Sequence, residues 1–277
     1  MMNAKPDQYA VIGNPIDQSK SPQIHALFAA QTGQALEYRA ILGEPGHFAA
    51  AVDAFRAEGG CGLNVTVPFK QEAWVYADVL TARAERAEAV NTLRFADNEV
   101  LGENTDGTGL VRDLTINHGF VVSGKRILLL GAGGAARGVL DSLLAEEPAQ
   151  LTIANRTPAK AAELALLFSD LGQVSGGGFD ELADLRFDLI INATAAGLSD
   201  ETPRLPARVL TEGGWCYDLL YGEQPTAFVR WGLAHGAARA LDGLGMLVEQ
   251  AAESFCFWRG VKPETKEVIA QLRSSES

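Results

Sequence analysis

The stretch Arg126 to Arg137, R-I-L-L-L-G-A-G-G-A-A-R, constrains the fold of this chain more than any other. Ile127 to Leu130 is a short uninterrupted apolar run, the pattern of a strand buried on both faces of a parallel sheet. Gly131, Gly133 and Ala136 follow at the G-x-G-x-x-A spacing, and Ala135, Ala136, Val139, Leu140, Leu143 and Leu144 then recur at helical spacing. Strand, tight turn and helix come in the order a dinucleotide site requires. Gly131 permits the turn, Gly133 lets the backbone approach a pyrophosphate, and Ala136 lets the helix pack close to the strand. The helix N-terminus adds unpaired N–H groups and a positive dipole end, worth about 0.3–2 kcal/mol to a nearby anion. An ordinary glycine-rich βα turn would share these glycines; the flanking strand and helix favour the dinucleotide.

A chain of 277 residues leaves room for two domains, each with its own core. The net charge of −12 argues against a nucleic-acid partner, because phosphate binding needs a basic face. Any anionic ligand must then be held by a local basic cluster. No apolar run approaches the length of a membrane span, and the first ten residues carry no signal-peptide pattern. Cys61, Cys216 and Cys256 are far apart and odd in number, which suits reduced thiols in a cytoplasmic protein. His25, His47, His118 and His235 are scattered, none at ligand spacing from a cysteine or another histidine, so no metal site is expected. They read as surface or satisfied core residues.

Along the chain, strands and helices alternate. Tyr9 to Gly13 reads as a strand, followed by Ser19-Lys20-Ser21-Pro22 and a helix through Ile24, Leu27 and Phe28, with Ser21 the natural N-cap and Ser19 free in the loop. Leu36 to Leu42 is a second strand, Phe48 to Phe55 lies in a second helix, and Leu63 to Val67 is a third strand stopped by Pro68. This βαβα alternation predicts an α/β fold with a parallel sheet. Asn64, Thr66 and Lys70 fall at a strand end, where parallel sheets bind ligands. Lys70 reads either as an exposed lysine opening the helix Gln71 to Tyr76, which continues to Arg86, or as a cation with a task. Ala89 to Leu93 and Val100 to Gly102 read as short strands around Asp97-Asn98, and Asp106 as a cap of the helix Leu110 to His118. Further strands are expected at Leu151 to Ala154, Phe187 to Ile191 and Trp215 to Leu220. The small residues Asn192 to Gly197 would let a cofactor pass close. The strand end Asn155-Arg156-Thr157, with Lys160 a turn later, carries cations where an NAD site would carry an acidic residue. Two charge-assisted contacts there could favour NADP by about a hundredfold or more. The last helix carries Leu247, Val248, Ala251, Phe255 and Trp258.

Taken together, S-K-S-P at Ser19, N-V-T-V-P-F-K at Asn64, A-V-N-T at Ala89, G-E-N-T-D-G at Gly102, the Gly131 loop, N-R-T at Asn155 and D-G-L-G-M at Asp242 resemble the shikimate dehydrogenase family. They occur in the family's order and span nearly the whole chain. The resemblance implies two α/β domains: a substrate domain over 1–106 with a mostly parallel sheet, completed by 243–277, and a Rossmann-type NADP domain over 107–242. It implies reversible NADPH-dependent reduction of 3-dehydroshikimate to shikimate. Carried over by position, Ser19 and Ser21, with Tyr221, would hold the substrate carboxylate. Thr66, Asn91, Asp106 and Gln250 would surround the ring, and Lys70 and Asp106 would be the catalytic pair. Gly131, Ala132, Gly133, Gly134 and Ala135 would hold the pyrophosphate; Asn155, Arg156, Thr157 and Lys160 the 2′-phosphate. Leu219, where close relatives are expected to carry methionine, and Gly243 would lie near the nicotinamide. A homodimer stays open. So do a relative that uses quinate or NAD and a non-catalytic NADP-binding regulator. The regulator would have lost Lys70 or Asp106, and both are present.

Overall fold

The computed structural model describes residues 5–96, 99–194, 202 and 204–274. The run Ala195 to Gly197, the turn Asp97-Asn98 and the tail after Ser274 lie outside the described residues. The chain forms two compact units, residues 1–109 with 247–277, and residues 110–246. The divisions follow Gly109 and Met246, a few residues beyond 106 and 242. Both fall inside a helix, so no loop residue marks them.

The first unit runs through β1 (Asp7–Gly13), α1 (Ser21–Thr32), β2 (Leu36–Leu42), α2 (Phe48–Ala57), β3 (Gly60–Val65), α3 (Lys70–Tyr76), β4 (Val79–Leu80), α4 (Ala82–Ala87), β5 (Thr92–Ala96) and β6 (Glu99–Glu103). The strands form one sheet in the order β2-β1-β3-β5-β6-β4. Pairings β1–β2, β1–β3 and β4–β6 are parallel, whereas β5 runs antiparallel to β3 and β6. On one face Ile12, Leu63 and Val65 bury against Phe48, Val52 and Phe55 of α2.

Helix α5 (Asp106–Arg112) and a π-helical turn at Asp113–Asn117 lead into the second unit. There β7 (Arg126–Leu130), α6 (Gly134–Ala145), β8 (Gln150–Ala154), α7 (Pro158–Leu167), β9 (Val174–Gly177), β10 (Phe187–Asn192), β11 (Leu210–Asp218), α8 (Ala227–Ala234) and β12 (Arg239–Leu241) follow. All pairings in its sheet are parallel, in the order β12-β11-β10-β7-β8-β9. That is the doubly wound order, which reverses between β7 and β10. Alternation along β7 shows why it forms. Ile127 and Leu129 bury in one core with Val139, Leu140 and Leu143 of α6, while Leu128 and Leu130 bury in another with Cys216 and Phe228. Each side chain fully removed from water contributes about 1.5–3 kcal/mol.

The chain ends in α9 (Leu244–Arg259) and α10 (Lys266–Ser274), which from Leu247 onward belong to the first unit. Trp258 Nε1 donates to the Leu93 carbonyl at 2.9 Å, its ring stacks on Tyr9 at 4.6 Å, and Arg259 pairs with Asp7 and donates to Gln34 at 2.9 Å.

Several local expectations change. Ser21 is the first residue of α1 and not its cap, because the Ser19 hydroxyl takes the Ser21 N–H at 3.3 Å; Ser19 is therefore engaged. β3 stops at Val65, and the Phe69 N–H closes a turn onto the Thr66 carbonyl at 3.0 Å. The helix from Lys70 ends at Tyr76, since Ala77 is extended and Asp78 pairs with Val100. Ala89 to Asn91 precede β5 and are not part of it, and Asp106 opens α5 itself. β11 begins earlier than expected and ends at Asp218.

Candidate active site

In the first unit the polar residues of three separate motifs converge. Lys70 begins α3, and its carbonyl accepts the Val90 N–H at 2.8 Å, which ties the helix start to the A-V-N-T segment. Its ammonium pairs with Asp106 Oδ2, with both side chains largely withdrawn from water (12% and 6% exposed). Lys70 is therefore not the exposed lysine of the simpler reading. Asp106 Oδ1 accepts from Asn91 Nδ2 at 2.8 Å. Asn91 also donates to Thr105 Oγ1 (2.9 Å) and Gln250 Oε1 (3.2 Å), and its own oxygen accepts the Thr105 N–H at 2.9 Å. So Lys70, Asp106, Asn91 and Gln250 form one buried network.

The network has a second layer, of which sequence reasoning places only Asn64, at a ligand-binding strand end. Asn64 donates to the Asn91 carbonyl (3.2 Å), Thr92 Oγ1 (3.1 Å) and Ser254 Oγ (3.0 Å), and accepts from Tyr38 at 2.7 Å. Burial pushes the Tyr38 hydroxyl well above its ordinary range, so it stays a donor. Glu103, 7% exposed, accepts from the Asn104 N–H (2.7 Å), Thr81 (2.8 Å) and Arg83 (3.0 Å), while Arg83 also donates to Thr108 at 2.7 Å. These contacts brace both ends of the turn that presents Asp106. Asn64 and Glu103 lie inside the quoted motifs, and Ser254 lies one helical turn from Gln250; those positions were the available signal. Ser19 and Ser21 stand at the start of α1, and Thr66 follows β3, its methyl so close to Gly13 that a Cβ there would strike it.

In the second unit the turn after β7 is as the glycines require. Gly131 has φ +106, and a Cβ there would lie 3.0 Å from the Ala193 carbonyl oxygen. Gly133 caps α6 and, among the described residues, nothing lies within 4 Å of its Cβ direction and no side chain caps the helix, whose first turn carries no acidic residue. Ala132, Gly134 and Ala135 complete an open cradle of backbone N–H groups beside Ala136, which is fully buried. This fits a pyrophosphate. At the end of β8, Asn155 donates to the Thr157 carbonyl at 3.0 Å, and Arg156 and Lys160 are exposed and make no ion pair among the described residues. They suit a 2′-phosphate. Leu219 and Tyr221, half-buried, follow β11, and Gly243 packs where a Cβ would strike the Leu219 carbonyl.

Among the described residues no cluster of His, Cys, Asp or Glu could hold a metal, and no helix is long and apolar enough to cross a membrane. His25 departs from the expectation of a satisfied core residue. It is fully buried and stacks on Tyr38 at 4.2 Å, yet among the described residues neither ring nitrogen has a hydrogen bond of good geometry, and burial, partly offset by nearby Asn64, lowers its pKa to about 3.

A doubly wound unit with a bare glycine turn and unopposed cations at the next strand end defines a dinucleotide-binding α/β protein of two domains, whose other unit carries a buried lysine–carboxylate pair. Residues 11–93 match the model of the shikimate dehydrogenase substrate binding domain, 115–202 that of shikimate / quinate 5-dehydrogenase, and 243–273 that of the shikimate 5'-dehydrogenase C-terminal domain. The shikimate dehydrogenase (NADP(+)) of Alkalilimnicola ehrlichii is 59% identical, over 96% of this chain and 98% of that one. The crystal structure of an Ael1 enzyme from Pseudomonas putida superposes with a TM-score of 0.88 at 48% identity, covering 96% of this chain and 98% of that one. Shikimate 5-dehydrogenase from Thermus thermophilus, in complex with NADP(H) and shikimate, gives 0.85 at 30% identity, covering 98% and 100%. The chain belongs to the shikimate dehydrogenase (NADP(+)) family.

Proposed function

We propose that this chain catalyses the reversible NADPH-dependent reduction of 3-dehydroshikimate to shikimate, with the substrate ring held by residues of the first unit and the cofactor by residues of the second. The observation that carries the reading is the buried Lys70–Asp106 pair buttressed by Asn91. NADPH, when bound, supplies the hydride. Lys70 Nζ would offset the charge that grows on the substrate carbonyl oxygen, as proton donor or as electrostatic clamp, an effect typically worth about 10²–10⁴-fold for general-acid help. Asp106 holds that ammonium in place, and Asn91 holds Asp106. Asn91, Asp106, Gln250 and Thr66 offer donors and acceptors of both kinds to ring hydroxyls, and the hydroxyls of Ser19, Ser21 and Tyr221 would take the carboxylate. Gly131 to Ala135 would seat the pyrophosphate, Asn155 to Lys160 the 2′-phosphate, and Leu219 and Gly243 the nicotinamide. The three cysteines are free thiols, which supports a reducing, cytoplasmic setting.

The test is a rate comparison in which shikimate and quinate are each offered with NADP and with NAD. Shikimate with NADP should dominate. Activity confined to quinate with NAD would overturn the proposal.

A further inference from the structure

Asp218, the last residue of β11, is a fully buried carboxylate that the chemistry above does not use. Its Oδ1 accepts from Asn192 Nδ2 at 3.0 Å and from the Leu220 N–H at 3.2 Å, and its Oδ2 accepts from Thr226 Oγ1 at 2.6 Å. An ionised carboxylate is acceptor-only, so it dictates which way its neighbours point. Asn192 must turn its amide nitrogen toward Asp218, which turns its oxygen toward Thr194. That oxygen indeed accepts the Thr194 N–H at 3.2 Å and its hydroxyl at 2.7 Å. The Ala193–Thr194 segment so fixed is the one that borders Gly131, whose Cβ direction meets the Ala193 oxygen at 3.0 Å and the Thr194 methyl at 3.3 Å. On its other side the same carboxylate fixes the Leu219–Leu220 backbone. The Leu219 N–H donates to the Asn192 carbonyl, and the Leu220 carbonyl accepts the Gly243 N–H, each at 2.9 Å. Thr226, the third donor, is the N-cap of α8.

Strand order says which part of a dinucleotide this cluster would meet. The 2′-phosphate cations lie at the end of β8, on one side of β7, and the pyrophosphate turn lies at the end of β7 itself. β10 and β11 are on the opposite side. A dinucleotide lying across the strand ends therefore places its half beyond the pyrophosphate over Asn192–Thr194 and Asp218–Leu220.

We infer that Asp218 is a positioning residue for the nicotinamide half of the cofactor: its carboxylate sets the Asn192 amide and the Leu219–Leu220 and Gly243 backbone that wall that half in. The inference rests on the NADP-dependent reading above. A purely structural carboxylate would affect both halves of the cofactor alike, so the probe is adenosine 2′,5′-bisphosphate, which carries the 2′-phosphate end and lacks the nicotinamide. In the full chain, Asp218→Ala should weaken NADP binding tenfold or more and lower kcat, with affinity for adenosine 2′,5′-bisphosphate unchanged within twofold. Asp218→Asn keeps the shape and one acceptor, and should show the same selective loss, several-fold, even where the alanine variant does not fold. Equal losses for both probes, or unchanged NADP affinity and kcat in the asparagine variant, would overturn the role of Asp218 while leaving the functional reading intact. A wild-type chain that binds neither probe would remove that reading and the inference with it.

Discussion

Asn91 and Asp106 are joined by a 2.8 Å hydrogen bond from the side-chain amide to Oδ1, while Lys70 holds the other oxygen of the same carboxylate. With both oxygens engaged, Asp106 cannot rotate without breaking a buried contact, so the direction in which it holds the Lys70 ammonium is set by an asparagine in a different motif. Replacing that asparagine should therefore cost more than one substrate contact. Asn91→Ala would loosen Asp106 and leave the Thr105 N–H, which donates to Asn91 at 2.9 Å, without its acceptor. We expect kcat/KM for shikimate to fall about 10–100-fold, since misplacing a reacting group by about 1 Å can cost 10². An unpaired buried N–H should also lower stability by about 1–3 kcal/mol. Steady-state kinetics and urea unfolding of the same preparation measure the two effects separately. Unchanged kcat/KM would mean Asp106 needs no such brace.

Arg156 tests the cofactor argument. It is exposed at the end of β8 and pairs with no described residue, so its removal has little to disturb except a ligand. Arg156→Ala should raise KM for NADP about tenfold, one charge-assisted contact, and hardly change KM for NAD. Equal effects on the two cofactors would remove the 2′-phosphate role.

His25 predicts a pH dependence of stability. Its folded pKa is lowered to about 3, chiefly by burial, whereas the unfolded chain protonates near 6.5. The folded state thus binds fewer protons in that window. The stabilisation from keeping this ring neutral is complete above about pH 6.5 and is lost as pH falls toward 3. Between pH 7 and pH 5 the loss should be about 2 kcal/mol. His25→Phe keeps a ring against Tyr38 and removes the titrating group, so its unfolding free energy should fall less by about that amount over the same interval. Parallel pH dependences of the two proteins would show that His25 does not carry this linkage.

How much of this was legible in the chain depends on where the information sits. The β7 turn could be read because Ile127–Leu130, Gly131 and the α6 periodicity are all local, and Leu36–Leu42 appears with the bounds its sequence suggests. β4, β9 and β12 could not be read. V-L, V-S-G-G and R-A-L are too short or too glycine-rich to show a period, and their pairing is set by neighbours distant in sequence. Gly176 illustrates this: within β9 it must be glycine because α7 passes so close that a Cβ would collide with the Ala161 oxygen. Motifs point to Lys70, Asp106 and Asn91 and the family resemblance to Gln250, but their mutual bonds span up to 159 positions and no local pattern reports them. The same holds for Glu103, Asp218 and His25. A carboxylate in a strand end or a histidine in an apolar helix looks alike whether it faces water or is fully enclosed, because the enclosing residues come from elsewhere in the chain.

The most direct measurement is turnover of Lys70→Ala at saturating NADP and shikimate, alongside the NADP dissociation constant of the same variant. Removing the ammonium of the buried pair should lower kcat by about 10²–10⁴-fold. NADP affinity should stay within about twofold, since the groups proposed to hold the cofactor belong to the other unit. Turnover at the wild-type rate would contradict the assignment of Lys70 and Asp106 as the groups that act on the substrate.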